Sequence, residues 1–147
     1  MEISEKIKCL YDKGTKSAYA NLKDLEAISE CENTLYSYLD EFIAMLKSKK
    51  YVIRVRGFRL VCKQAKWDNH NRINEAIEDI LNAVHDEKPT AVRQFLQYLK
   101  YIVPYKKELN DRIKETALAI NCSDFKDTMR PLIAKDIQIL MEAIEAQ

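Results

Sequence analysis

Four times along this chain one short pattern returns at an almost constant interval: Tyr19-Ala20-x-Leu22, Val55-Arg56-x-Phe58, Val92-Arg93-x-Phe95 and Met129-Arg130-x-Leu132, in steps of 36, 37 and 37 residues. A chain that repeats itself at this period is built from stacked supersecondary units, each burying its apolar face against its neighbours. Ahead of every copy stands an apolar triad at i, i+4, i+7: Ile3-Ile7-Leu10, Leu39-Ile43-Leu46, Ile77-Leu81-Val84 and Ile113-Ala117-Ile120. That spacing marks one face of an α-helix. Each unit therefore reads as two amphipathic helices, and the fold class as an all-α solenoid of four helical hairpins, about eight helices.

The 147 residues are filled by these hairpins, with units at approximately 1–30, 31–67, 68–104 and 105–147 in a single domain. Two glycines and three prolines fit an all-helical chain. The breakers fall where the period places them. Asp12-Lys13-Gly14-Thr15 divides the first unit, with Gly14 suited to a helix C′ position and Thr15 to an N-cap. Ser48-Lys49-Lys50 divides the second, and Pro89 and Pro131 suit the first turns of later helices, the second of them capped by Thr128. Helices are expected near 2–12, 15–29, 34–47, 51–66, 71–85, 89–103, 106–120 and 125–145, the last closing the open end of the stack.

The segment Asp86-Glu87-Lys88-Pro89-Thr90-Ala91-Val92-Arg93-Gln94-Phe95 resembles the HEAT/armadillo-like helical repeat, whose second helix opens on an Asp-containing turn followed by Val-Arg and an apolar residue. Ser48 to Phe58 and Ser123 to Leu132 are weaker copies, and the first unit has Ala20 in the arginine position. The resemblance implies a right-handed α-α superhelix whose second helices line a concave surface used to bind partners. It also implies that Arg56, Arg93 and Arg130 are structural, paired across units to carboxylates such as Asp86 or Asp124.

Chemistry finds little foothold. Cys9, Cys31, Cys62 and Cys122 form no C-x-x-C pair, His70 and His85 lack a metal-ligand spacing, and no phosphate-cradling or nucleophile-elbow motif occurs. No cofactor, metal site or catalytic residue is expected, and the chain reads as non-enzymatic. The acidic start Met1-Glu2-Ile3-Ser4 lacks the basic and apolar regions of a signal peptide, and no apolar run approaches a membrane span, so a cytoplasmic protein is expected.

Charge carries the functional hint. Residues 1–46 hold five Lys/Arg against nine Asp/Glu, residues 47–72 nine against one, and residues 73–147 ten against thirteen, blocks of −4, +8 and −3 that recover the net +1. Within the basic block Arg56, Arg59, Lys63 and Lys66 share one helical face, and the repeat register sets Arg93 and Lys100 beside Arg56 and Lys63. The candidate binding residues are Arg54, Arg56, Arg59, Lys63, Lys66, Arg93 and Lys100. Of these, Arg59, Lys63 and Lys66 have no evident structural role, so charge reversal there should spare the fold. Tyr98, Tyr101 and Tyr105 are possible aromatic contacts beside them, and Trp67 is a staple between units.

The expected function is a scaffold that binds another protein, with an acidic segment as the natural match to the basic second unit. The alternative is the phosphate backbone of DNA or RNA on the same cations. A third reading, by likeness to HEAT-like DNA-alkylation-repair glycosylases, would need a carboxylate in an aromatic pocket, which the sequence does not locate.

Overall fold

The computed structural model describes residues 1–12 and 14–147; Lys13, expected in the first inter-helix loop, and the Thr15 side chain, expected as a cap, lie outside the described residues. Among those residues the chain is all-α, without a strand. The helices are α1 (Ile3–Cys9), α2 (Thr15–Cys31), α3 (Leu39–Met45), α4 (Tyr51–Lys63), α5 (Arg72–Glu75), α6 (Ile77–Ala83), α7 (Pro89–Leu99), α8 (Asn110–Leu118) and α9 (Arg130–Glu145). Short 3-10 turns at Thr34–Tyr38, Ala65–Trp67, Lys107–Leu109 and Cys122–Asp124 extend or join them. The helix expected over 71–85 is split at Ala76, where φ −95° and ψ 8° interrupt the regular helix between α5 and α6. The Ala76 N–H still donates to Arg72 O at 3.1 Å, and the Ile80 N–H to Ala76 O at 3.0 Å.

The second helices of the four units form one layer, with α2 against α4, α4 against α7 and α7 against α9. Their direction follows from side-chain pairs. Glu26 and Glu30 of α2 meet Arg59 and Lys63 of α4 in the same order, and Arg59 and Lys63 in turn lie over Tyr98 and Tyr101 of α7. Helices α2, α4 and α7 are therefore parallel, as stacked hairpins require. The polar contacts fall up to about one helical turn short of the 36- to 37-residue period: Arg54 to Asp86 is 32 residues, Arg59 to Glu26 33, Arg112 to Glu78 34 and Lys106 to Asn71 35. Sequence neighbours one unit apart are spatial neighbours.

All four triads contribute to one continuous apolar core, and Leu22, Phe58 and Phe95 of the recurring pattern are buried in it. The fourth copy departs. Leu132 is 41% exposed and Ile133 takes the buried place, because α9 starts only at Arg130, with Pro131 in its first turn. The cap of α9 is Met129 rather than Thr128, and it makes no side-chain cap bond. Gly14 likewise differs from expectation. It precedes α2 as the N-cap in an extended conformation, φ −62° and ψ 123°, and so is no left-handed helix terminus.

Gly57 has a packing role that composition does not suggest. A Cβ there would sit 2.5 Å from the Met45 Cβ and 2.8 Å from the Phe42 carbonyl oxygen, so α4 lies directly on the α3 backbone. Gly57→Ala should therefore lower stability by about 1–3 kcal/mol through overpacking, although Ala is the better helix former by about 1 kcal/mol. A raised denaturation midpoint would show that the two helices part freely.

The joint between the second and third units is polar and buried. Asp68 accepts from the Tyr36 hydroxyl at 2.5 Å and from the Arg72 and Ile73 amides at 3.0 and 2.9 Å. Lys106 Nζ lies 3.1 Å from its Oδ2 and donates to the Asp68 carbonyl and Asn71 Oδ1. Asn71, at φ 56°, makes the left-handed turn that brings these groups together. Burial opposes the charged form of Asp68, but hydrogen bonds from Tyr36, the two amides and Lys106 outweigh it and hold the carboxyl below its ordinary value. A depressed folded-state pKa stabilises above the unfolded carboxylate range, about 4, and that stabilisation is lost as pH falls through the folded value. Asp68→Asn should thus show a smaller loss of stability on acidification below pH ~4 than wild type. Parallel acid-denaturation curves would remove Asp68 from the account.

Candidate binding surface

Helix α4, the most basic of the chain, is also buried on nearly every side: Ile53 and the whole run from Val55 to Cys62 are inside. Its cations, Arg56 apart, and those near it are accordingly neutralised by neighbouring units. Arg54 donates to Asp86 with two nitrogens, at 2.7 and 3.1 Å, and to the Ser48 carbonyl at 2.9 Å. Arg59, only 7% exposed, places Nη2 2.6 Å from Glu26 Oε1 and donates from Nη1 to Gln94 at 3.0 Å, between the rings of Tyr19 and Tyr98. Lys63 reaches Glu30 at 2.5 Å under the Tyr101 ring, and Lys66 donates to the Glu30 carbonyl at 2.7 Å. Arg93 donates to Asp136 of α9 at 2.8 Å.

Four expectations are corrected by this geometry. Arg59, Lys63 and Lys66, expected to lack a structural role, tie α4 to α2, and reversing Arg59 would set a second carboxylate against buried Glu26. The six cations expected on one surface diverge instead: Arg56 turns to the end of α1 and Arg93 to α9. Asp86, expected opposite Arg56, belongs to Arg54. Arg130 serves its own loop, donating to the Phe125 and Ser123 carbonyls at 2.8 and 3.1 Å. Trp67 does staple units, its indole N–H donating to Ser29 O at 2.7 Å.

Burial alone would lower the pKa of Arg59, but Glu26 raises it, keeping the ion pair charged. The Tyr98 hydroxyl is pushed up, by burial first and then by the Glu26 carboxylate beside it. Burial also drives the Cys62 thiol well up, so it is a poor nucleophile. Tyr98 and Tyr101 thus cover cations of α4, whereas Tyr105 is exposed.

Between the paired residues the face of the second-helix layer opens in two clefts. The first, about 400 Å³, lies between α2 and α4, with Leu22, Val52 and Val55 as its apolar lining and Lys16, Tyr19 and Arg56 among its polar edge. Tyr19 is 53% exposed. Arg56, 6% exposed, donates from Nη1 to the Leu10 and Asp12 carbonyls at 2.6 and 2.9 Å and has no carboxylate partner among the described residues. The second cleft, about 370 Å³, lies between α7 and α9, lined by Leu96, Ile139 and Leu140 with Arg93, Lys100 and Lys135. The groove between them, α4 against α7, is closed by Arg59, Gln94 and Tyr98.

Arg56, Arg59, Arg93 and Lys100 of the sequence-derived set line these clefts; Arg54, Lys63 and Lys66 do not. Sequence reasoning missed Lys16, Tyr19, Val52, Lys135 and Ile139. A cleft is a gap between two helices, and only Tyr19, an exposed aromatic inside the recurring pattern, signals it. No helix among the described residues is long and apolar enough to cross a membrane. No protein-family model, curated protein or solved structure gives a significant match to the chain.

Proposed function

We propose that this chain is a HEAT-like, non-enzymatic binding protein of the cytoplasm whose second-helix face docks another protein. The observation that carries the reading is the pair of open, apolar-floored clefts on a face where most other cations are ion-paired. Apolar anchors in pockets, edged by polar groups, are where protein interfaces gain most of their affinity. The phosphate-backbone alternative is less well supported. Five of its seven cations, Arg54, Arg59, Lys63, Lys66 and Arg93, already hold carboxylates.

A photo-crosslinking amino acid placed at Tyr19 or Ile139, with Lys114 of α8 as control, tests the proposal in cell lysate. Discrete protein adducts from positions 19 and 139 that survive nuclease and are absent from position 114 are expected. Adducts that vanish with nuclease, or equal labelling from all three positions, would overturn it. Purified protein should also lack the log–log salt slope near −4 to −5 that about five phosphate contacts on duplex DNA would produce.

A further inference from the structure

Resting on the protein-docking reading, we infer that the two clefts together take one extended, acidic segment of the partner, carrying two large apolar side chains about five or six residues apart. Three observations lead there. The clefts flank the filled α4–α7 groove, so their centres are two helix spacings apart. Neighbouring helices pack at about 8–10 Å, which makes this separation about 16–20 Å. A segment crossing the layer in extended form covers that distance in about five or six residues at ~3.3 Å each. A helical segment would need about twice as many.

The second observation is the charge of the lining. Lys16 and Arg56 at the first cleft, and Lys100 and Lys135 at the second, form no ion pair among the described residues, whereas Arg59 and Arg93, which also line the clefts, are taken by Glu26 and Asp136. The one carboxylate lining either cleft, Asp136, already accepts from Arg93 and Gln97. Arg56 is the least compensated member: a buried guanidinium held by two carbonyls beside an open cleft, with no carboxylate at ion-pair distance among the described residues and only the nearby Asp12 charge to offset it.

The third is the edge beside the first cleft. Helices α4 and α7 run parallel, and their N-caps are Lys50 and Lys88. Lys88 Nζ lies 5.6 Å from the centre of the ring of Tyr51, which lines the cleft. A cation at a helix N-terminus adds to the positive end of the helix dipole, where an acidic residue would stabilise. Positive charge concentrated this way complements a segment rich in Asp and Glu, and the apolar floors select its anchors.

The test uses the full chain and a fluorescein-labelled acidic peptide of fourteen residues, Asp/Glu-rich with two Trp six positions apart, followed by anisotropy. Two control peptides have the same length: one with adjacent Trp, one with the acids replaced by Lys. The spaced acidic peptide should bind about tenfold or more tightly than either control, since each control loses an anchor or the charge match. Lys16→Glu and Ile139→Glu, both exposed positions, should each weaken it about tenfold with unchanged thermal midpoints, whereas Lys114→Glu should not. Equal affinity for the three peptides, wild-type affinity in both cleft variants, or no binding at all would overturn the inference. If that happens while the crosslinks from positions 19 and 139 persist, the acidic two-anchor segment is wrong and protein docking stands.

Discussion

Phe58→Ala is expected to lower stability by about 3–5 kcal/mol, and Phe95→Ala by a similar amount. Both rings are fully buried, with centroids 4.5 Å apart and planes tilted by 42°, at the contact between α4 and α7. Removing either leaves a cavity between two units and strips the other ring of its partner, so the double variant should cost less than the sum of the singles. Because units are held only by their neighbours, amide exchange should quicken in α4 and α7 alike. Chemical denaturation reads the first effect directly. Unchanged midpoints would mean that the unit-to-unit contact does not run through these rings.

The positions of both phenylalanines could be read in the sequence because the signal is local. Apolar triads and the recurring pattern report one helix face each, and a helix face depends on residues three and four apart. That reading weakens where a unit lacks a following neighbour. At the fourth copy α9 opens on Pro131, Arg130 folds back on its own loop, and the buried place slips from Leu132 to Ile133. The split of α5 from α6 at Ala76 carries no local breaker either, since alanine is a good helix former.

Charge is less legible for a different reason. The −4 block and the +8 block look like an acidic region beside a basic patch, but they are two halves of one set of contacts. Glu26 and Glu30 stand 33 residues before Arg59 and Lys63, and Asp86 stands 32 after Arg54. Local helical spacing places these cations on one face without showing that the face meets the preceding helix. The partners stand 32 or 33 residues apart, about one helical turn short of the 36- to 37-residue period, so neither i+3 and i+4 spacing nor the bare period reveals them. The cations left without an ion pair among the described residues, Arg56 and the exposed Lys16, Lys100 and Lys135 beside the clefts, are what the proposed docking surface has to offer.

The Glu26–Arg59 pair allows this account to be tested by a contrast of signs. Both side chains are buried, at 6% and 7% exposure, and joined at 2.6 Å. Arg59→Met alone strands the Glu26 carboxylate in the interior and should cost about 3–5 kcal/mol, the ordinary penalty for removing one partner of a buried pair. Replacing both, Glu26→Leu with Arg59→Met, removes the charge with its counter-charge and should recover most of that loss, because apolar groups of similar size avoid the desolvation penalty. A double variant no more stable than Arg59→Met would mean that the packing of the guanidinium between Tyr19 and Tyr98 matters more than its charge. An Arg59→Met chain as stable as wild type would mean that α4 carries a solvated basic face after all, and the neutralised layer on which the two-cleft reading stands would be lost.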